Sequence, residues 1–340
     1  MRISPRELAF LTLSILIWTG YVVLLGKDTS WDFRNYHWYI PYALLNGRMH
    51  IDMLVAHQAS YYNPFLDVPF YVLAQHTNSF VAIAILGLFQ AANIVPIYLI
   101  AREALRLPQK KLWAAGIAFF SLTGGMTLSL FGTHYYDNVM SFFIMSALCI
   151  LVLGREQLAG GSLKAGFWWC ALGGLLVGGS AGLKLPTAPF AVGYVAAVLA
   201  VGGDRKHIIV RLLGAGVGGL AGFLLCEGPW MLKMYELTGN PLFPYFNQYF
   251  HSPLALASPY RDMRFLPTSN YKTLLYPILF AIDYRVADDL PHNDIRIAIA
   301  YVLIILSSLF WLVGRRSKQP LAIPASVRIT FVFVAVSYFC

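Results

Sequence analysis

Eight long apolar runs follow one another along the sequence of 340 residues, and a ninth begins near its end. Crossing the hydrocarbon core of a bilayer takes about 17–25 helical residues, and each of the eight runs is that long. Only 12% of the residues are charged, whereas charged residues make up about a quarter of a soluble domain. The runs lie near 8–26, 80–101, 112–132, 138–154, 166–183, 187–203, 208–226 and 296–314, with the ninth from 327. We therefore predict an all-α polytopic membrane protein, one domain over 1–340 that forms a bundle of about eight or nine transmembrane helices.

The ninth run stops at Cys340 after about 14 residues, and no polar tail follows it. A helix of that length extends for about 21 Å, which is too short for a hydrocarbon core of about 30 Å. We therefore expect 327–340 to be a partial last span and the sequence to be a truncated piece of a longer protein.

The net charge of +9 would suit a nucleic-acid partner, but the distribution of the charges argues against one. If the N-terminus is cytoplasmic, fifteen of the 25 basic residues and four of the 16 acidic residues fall on inner segments, so the inner face carries about +11 and the outer face about −2. This bias follows the positive-inside rule. The sequence therefore predicts a multi-pass protein of the inner (plasma) membrane with a cytoplasmic N-terminus, whose basic residues contact membrane lipids.

Two regions on the predicted outer face, 27–79 and 227–295, are too long to be simple connections, whereas the inner loops are short. Functional residues concentrate in such regions. The first contains "SWDFRNYHWYIPYALLNGR" (30–48), whose tryptophans and tyrosines favour the depth of the lipid headgroups. We expect interfacial helices here, with a break near Pro41, because proline lacks the N–H that an α-helix needs. A further segment, "NPFLDVPFYVLA" (63–74), is too short to span and is predicted to be interfacial or re-entrant.

Glycines recur at four-residue spacing in two of the predicted spans. They are Gly174, Gly178 and Gly182 in one run and Gly214, Gly218 and Gly222 in the other. Such spacing leaves a smooth stripe on one face of a helix and lets two helices approach closely. We interpret both stripes as packing surfaces.

Asp32 is the first candidate for chemistry, because it follows the first span on the predicted outer face. A carboxylate there suits a general base toward an acceptor hydroxyl, or a metal ligand. The structural alternative is that "TSWD" is a capping sequence, in which Thr29 caps a helix and Asp32 stabilises its first turn. His37 lies five residues later, about 140° around an α-helix, and shares a face with Asp32 only if Pro41 distorts the turn.

Two further groups at the outer ends of predicted spans join Asp32. Asp137 and His134 lie in "THYYDN" (133–138), where Asp137 is either a second acid of the same site or the cap of the fourth span. Lys184, in "AGLKLPT", either contacts the phosphate of a lipid carrier or extends to the headgroups as an interfacial lysine.

The second outer region contains two arginines three residues apart, Arg261 and Arg264, in "SPYRDMRFLP". Two guanidinium groups on one face suit a phosphate or an acidic sugar. The alternative is an ion pair between Asp262 and one of these arginines.

Taken together, these features resemble the GT-C superfamily, polytopic glycosyltransferases that use polyprenyl-phosphate-linked sugars. The resemblance lies in the acid at the outer end of the first span, the interfacial helices of the first outer loop, and the second acid between the third and fourth spans. It is carried by "WDFRNYHWYIPYALLNGR", "YYNPFLDVPF", "THYYDN", "AGLKLPTAP" and "GNPLFPYFN", and it covers nearly the whole chain.

The resemblance implies inverting transfer of a hexosyl or pentosyl group on the extracytoplasmic face, to a lipid, glycan or protein acceptor of the cell envelope. It makes Asp32 the base and Asp137 an assisting acid. Substrate contacts are then expected from Arg34, Tyr36, His37, His134, Lys184, Arg261 and Arg264. The first acid stands alone in "WDF", where several relatives have an adjacent acidic pair. A divalent cation (Mg²⁺ or Mn²⁺) held by Asp32 and Asp137 is thus implied only by those members that use one.

Two other functions use similar features. A non-enzymatic transporter or flippase of lipids or glycolipids would have the same interfacial aromatics, but it needs a polar path, and no predicted span has a charged residue at its centre. A polymerase or ligase of surface polysaccharides usually concentrates arginines in its large outer loop, and this sequence has few there. Glycosyl transfer is therefore the leading hypothesis.

Overall fold

The structure is a computed structural model that describes residues 3–52, 56–260, 262–286, 292–314 and 323–340. Within these ranges all regular structure is helical, which confirms the all-α prediction. The α-helices are α1 (Pro5–Leu25), α2 (Tyr39–Leu45), α3 (Asp67–His76), α4 (Ser79–Ala91), α5 (Ile94–Ala104), α6 (Lys110–Ser121), α7 (Gly125–Leu130), α8 (Asp137–Gly160), α9 (Leu163–Leu183), α10 (Ala188–Ala200), α11 (Arg205–Thr238), α12 (Asn247–Phe250), α13 (Asn270–Ile282), α14 (Ile295–Gly314) and α15 (Ala325–Phe339). A π-helix occupies Phe33–His37, and 3₁₀ turns occupy His57–Tyr61, Pro64–Leu66, Leu185–Thr187, Met263–Phe265 and Tyr284–Val286.

In the described part of the chain, five helical segments are long and apolar enough to cross a membrane. They are α1, α4 and α5 taken together over Ser79–Ala104, α8, α9 and α11. Shorter apolar helices occupy Leu185–Ala200, Ile295–Phe310 and Ala325–Tyr338. The architecture is therefore that of a helical membrane bundle, while the count of eight or nine spans stays a prediction.

The predicted continuous span over 112–132 is wrong, because α6 ends at Ser121 and α7 begins only at Gly125. Two adjacent glycines at this break favour interruption of a helix. They also allow close packing, since a Cβ on Gly124 would lie 2.7 Å from Nη2 of Arg296. The backbone N–H of Gly125 instead donates to the carboxylate of Asp294 at 3.0 Å. The residues just before α14 therefore pack against the break between α6 and α7.

Helix α11 is longer than the predicted run over 208–226 and continues to Thr238. The extension persists because Trp230 and Met234 are buried in a second apolar cluster, where they pack with Tyr36 and other residues near the π-helix. The second polar region therefore begins at Gly239, whose positive φ of 74° ends the helix, rather than at 227.

The prediction of close contact at the glycine stripes is confirmed, because α9 and α11 pack directly on each other. A Cβ on Gly182 would lie 2.8 Å from the carbonyl oxygen of Phe223, and one on Gly222 would lie 2.7 Å from the backbone nitrogen of Gly179. No side chain fits at these contacts without moving the backbone. The two helices therefore form a tightly packed pair.

The two ends of the bundle are called here the Pro5 end and the Leu25 end, after the bounds of α1. At the Pro5 end, the buried carboxylate of Glu7 accepts hydrogen bonds from Arg102 at 2.6 Å and from Lys111 at 2.9 Å, which tie α1 to α5 and α6. At the Leu25 end, α8 begins, α9 ends and the short helices between α1 and α4 are gathered. Most of the predicted site residues lie at this end.

Candidate functional site

A cavity of about 260 Å³ lies at the Leu25 end of the bundle. It opens between the π-helix, the turn before α3, the end of α9 and the C-terminal half of α11, which contributes Glu227 and Trp230. Its walls are largely aromatic: Tyr36, Tyr61, Tyr62, Tyr135, Tyr136, Trp230, Phe243 and Tyr245. Its polar lining consists of His37, Asn63, Asp67, Lys184 and Glu227. We refer to it as the first cavity. Its volume approaches the lower end of the range of small-molecule sites, about 300–1,000 Å³.

His37 and Asp67 form a hydrogen-bonded pair in the lining of the first cavity, with Nδ1 of His37 2.9 Å from Oδ1 of Asp67. Burial raises the pKa of Asp67, while the charge and the hydrogen bond of His37 oppose that rise. In a neutral imidazole that donates from Nδ1, the other nitrogen is an acceptor. Among the described residues, Nε2 of His37 has no hydrogen-bond partner. The pair therefore has the geometry of an oriented general base.

The π-helix explains how His37 reaches this position. The N–H of Trp38 donates to the carbonyl of Phe33 at 2.9 Å, a bond between residues five apart, and the α-helix resumes only at Tyr39. Pro41 has no N–H to offer the carbonyl of His37, so the expected distortion occurs at this turn. A π-turn holds more residues than an α-turn, which brings positions 32 and 37 closer to one face.

Asp137 and Lys184 are brought together, as the single-site prediction requires. Nζ of Lys184 donates to Oδ1 of Asp137 at 2.7 Å and to the carbonyl of Tyr135 at 2.7 Å. Lys184 lines the first cavity, whereas Asp137 does not and its side chain is 44% exposed. The side chain of Lys184 therefore lines the cavity, and the carboxylate of Asp137 contacts it from outside the lining.

The predicted metal ligands do not fit a metal ion. Asp137 is already neutralised by Lys184, and the positive charge of that lysine would repel a second cation. Across residues 3–52, 56–260, 262–286, 292–314 and 323–340, no group of three or more His, Cys, Asp or Glu side chains has a metal-binding arrangement. The ammonium of Lys184 therefore occupies the Oδ1 atom of Asp137 that a metal ion would need.

Asp32 lies beside the first cavity rather than in its lining. It is half-buried in the first turn of the helix that leads into the π-helix. Burial raises the pKa of Tyr36, and the charge of Asp32 adds to this rise, so the two side chains are neighbours. The predicted cap at Thr29 is wrong, because the hydroxyl of Ser30 accepts from the N–H of Phe33 at 3.1 Å.

His134 pairs with Asp28 and not with Asp137. Its Nδ1 lies 3.2 Å from Oδ2 of Asp28, and its backbone N–H donates to the same oxygen at 3.0 Å. Burial alone would raise the pKa of Asp28, but hydrogen bonds from His134 and Ser30 lower it to about 2. Burial lowers the pKa of His134, against the influence of Asp28. The result is a second buried pair of an aspartate and a histidine.

A second cavity, of about 390 Å³, lies next to the first. Arg34 and His134 line this cavity and not the first one. The predicted substrate-binding residues are thus divided: Tyr36, His37 and Lys184 line the first cavity, and Arg34 and His134 line the second.

Arg264 of the second polar region does not line either cavity. Arg264 contacts Asp262 at 2.6 Å, and its side chain is 65% exposed. This is the ion pair that the sequence offered as the alternative. Arg261 lies outside the described residues.

Three residues of the polar lining of the first cavity were not among the predicted site residues: Asp67, Asn63 and Glu227. The side-chain amide of Asn63 donates to Oε2 of Glu227 at 2.6 Å and to the carbonyls of Gly182 and Cys226, both at 3.0 Å. Asn63 thus fastens the turn before α3 to the α9–α11 pair. Asp67 had a usable signal, because an acid in a short, apolar, proline-bounded segment is costly to bury without a role.

Comparison with protein-family models, with curated proteins and with solved structures gives no match for this chain. The resemblance to the GT-C superfamily therefore stays a prediction.

Proposed function

We propose that this chain is a membrane glycosyltransferase that moves a hexosyl or pentosyl group from a polyprenyl-phosphate donor to an acceptor hydroxyl on the extracytoplasmic face. The observation that carries the proposal is the composition of the first cavity. At one end of the bundle it combines an oriented imidazole, a cation with a remaining donor, and aromatic walls. These are the groups that transfer from a lipid-borne phosphate requires.

His37 is the proposed general base. Its Nε2 takes the proton of the acceptor hydroxyl as the hydroxyl oxygen attacks the anomeric carbon, and Asp67 stabilises the imidazolium that forms. This shifts the base from Asp32, which does not line the cavity. Asp32 remains the rival base, and the experiment below separates the two.

Lys184 is the proposed partner of the leaving group. Two of its three N–H groups are used by Asp137 and Tyr135, which leaves one for a phosphate oxygen. As the bond between the anomeric carbon and the phosphate oxygen breaks, the electron pair stays on the carrier phosphate, where the ammonium stabilises it. Attack from the side opposite to this phosphate inverts the anomeric centre.

The aromatic walls are the proposed sugar contacts. Tyr62 and Tyr245 are stacked with their ring centroids 6.1 Å apart, and Tyr62 bonds the hydroxyl of Tyr260 at 2.8 Å. Such rings offer apolar faces to a sugar and hydroxyls to its oxygens. The polyprenyl chain of the carrier stays in the bilayer, because the cavity lies at the end of α9 and the start of α8, two helices long enough to cross a membrane.

The test is transfer of labelled sugar from polyprenyl-phosphate donors by the purified chain in neutral detergent, with extracted envelope lipids, glycans or proteins as acceptors. We expect turnover in the wild type and a loss of about 10²–10⁴-fold in kcat for His37→Gln. The matched control is His76→Gln, an exposed histidine on α3, which should retain full activity.

The same assay decides between the two bases. If His37 is the base, Asp32→Asn should change kcat by less than about tenfold. If instead Asp32→Asn has no activity while His37→Gln remains active, Asp32 is the base. Absence of turnover in the wild type with every donor would overturn the proposed function. A flipping assay in vesicles would then test the transporter alternative.

A further inference from the structure

The second cavity differs in chemistry from the first. The π-helix contributes to both, with Tyr36 and His37 in the first and Phe33 and Arg34 in the second. In its described lining the second cavity holds no carboxylate and has two cations, a histidine and Ser79 among apolar side chains. It is therefore built to bind an anion rather than to carry acid–base chemistry.

The two cations of this cavity are uncompensated. Lys27 and Arg34 are exposed and have no carboxylate within ion-pair distance among the described residues. Three other cations at this end of the bundle are paired, in Arg48–Asp52, Lys184–Asp137 and Arg296–Asp294. The acid next to Lys27 in the chain, Asp28, is occupied by Ser30 and His134. Positive charge is thus left open to a ligand.

A third polar group in the lining also lacks a partner. His134 is only 1% exposed, and its Nε2 has no hydrogen-bond partner. Its ring contacts those of Phe33 and Phe70, at centroid distances of 4.3 and 4.1 Å. A buried polar atom is normally satisfied, so the unpartnered nitrogen of this lining residue indicates that a ligand atom completes it.

The remaining wall is apolar and leads into the membrane. Phe70 and Ala74 are one turn apart on α3, and Ala82 and Ile83 lie on α4. Helix α4 opens the membrane-length segment Ser79–Ala104, so the wall continues along a helix that is long and apolar enough to span. These walls suit a ligand with an anionic head near Lys27 and an apolar body against α3 and α4.

We propose that the second cavity binds an anionic phospholipid of the bilayer, with its phosphate between Lys27 and Arg34, a headgroup hydroxyl that donates to Nε2 of His134, and an acyl chain along Phe70 and Ile83. A bilayer phospholipid carries both required parts and is the abundant phosphate-bearing amphiphile at this depth. This site does not depend on the proposed glycosyl transfer.

Titration of the purified chain in neutral detergent, followed by native mass spectrometry, tests the proposal. The probes are phosphatidylglycerol and phosphatidylcholine with identical acyl chains. We expect tighter binding of phosphatidylglycerol to the wild type. The double variant Lys27→Gln/Arg34→Gln should bind it about 30-fold more weakly, about fivefold for each cation. Phosphatidylcholine binding should be unchanged.

The control is the double variant Lys164→Gln/Lys272→Gln, which removes the same charge from lysines that line neither cavity. It should bind phosphatidylglycerol like the wild type. Ala74→Phe should weaken binding at least about fivefold by filling the cavity with both cations intact. The exposed positions of Lys27 and Arg34 make their double variant decisive even where Ala74→Phe unfolds the chain.

Three results with the two phospholipids would overturn the proposal. They are equal affinity for the two phospholipids, phosphatidylglycerol affinity of the cation variant within about twofold of the wild type, and an equal loss in the control variant. Displacement of phosphatidylglycerol by an equimolar polyprenyl phosphate would show that the site belongs to the carrier and not to a bilayer phospholipid.

Discussion

Nζ of Lys184 lies 2.7 Å from Oδ1 of Asp137, across the gap between the end of α9 and the start of α8. The lysine side chain is 24% exposed and faces the first cavity, while the carboxylate is the more exposed partner. The pair therefore positions a cation at the cavity, and under the proposed function Asp137 acts on substrate only through Lys184.

This relationship gives the first prediction, that Lys184 matters more than Asp137 for sugar transfer. Lys184→Met should lower kcat by about 10²–10³-fold, the scale of losing one donor to a developing charge. Asp137→Asn should cost about tenfold or less, because Tyr135 still holds the ammonium. Steady-state kinetics with a polyprenyl-phosphate sugar measures both.

Lys233→Met is the matched control, since Lys233 is paired with Glu236 on the surface of α11 and lines neither cavity. It should leave kcat unchanged. A loss in Asp137→Asn as large as that in Lys184→Met would instead support the direct acid role that the sequence predicted for Asp137.

The second prediction concerns Asp67, which we expect to act on catalysis through His37. An amide at this position can donate to Nδ1 and favour the tautomer whose Nε2 carries the proton, which removes the acceptor. Asp67→Asn should therefore lower kcat by at least about 10²-fold with little change in KM. In ¹⁵N spectra of imidazole-labelled protein, the protonated nitrogen of His37 should change from Nδ1 to Nε2. A large loss of kcat with an unchanged tautomer would contradict this role.

The third prediction concerns the pH dependence of stability at the Asp28–His134 pair. The pKa of Asp28 is lowered to about 2 in the folded chain from 3.8, so its contribution is present above about pH 4 and is lost as the pH falls toward 2. His134 is held neutral by burial, so unfolding gains a proton below about pH 6.5 and stability falls with pH there as well. The melting temperature in detergent should therefore decrease steadily from pH 7 to pH 3.

Asp28→Asn should remove about 1–2 kcal/mol of this stability at pH 7, allowing for solvent screening. It should also make the fall of the melting temperature between pH 4 and pH 3 less steep. Asp283→Asn breaks an exposed pair with Arg285 and should leave the melting temperature nearly unchanged. If the melting temperature of Asp28→Asn falls as steeply with acid as that of the wild type, the pH dependence belongs to other groups.

The parts of the fold that the sequence predicted are those set by local pattern. The stripe of Gly174, Gly178 and Gly182 was enough to predict a close helix contact, because the spacing of glycines along one helix decides which of its faces can approach a second helix. The end of α11 was predicted too early because Glu227, Gly228 and Pro229 have the local character of a helix end. Burial of Trp230 in the second apolar cluster overrides that preference.

The site was less predictable because its pairs join distant parts of the chain. His37 and Asp67 are 30 residues apart and meet only because a π-turn rotates one histidine toward the start of α3. Asp28 and His134 are 106 residues apart. The sequence placed acids, histidines and a lysine in one layer correctly, but the partner of each depends on the tertiary arrangement.

The last prediction tests the α9–α11 packing that supports the first cavity, since Lys184 follows α9 and Glu227 lies on α11. A Cβ on Gly178 would lie 2.7 Å from the Cα of Gly219, whereas a Cβ on Gly216 would meet nothing within 4 Å. Gly178→Ala should therefore force the helices apart and destabilise the chain by about 1–3 kcal/mol. Gly216→Ala adds the same methyl group to a helix and should keep or raise the melting temperature, because alanine favours helix by about 1 kcal/mol. Thermal unfolding in detergent compares the two variants, and Gly178→Ala should also lower sugar transfer, whereas equal melting temperatures would show that the stripe is not a tight contact.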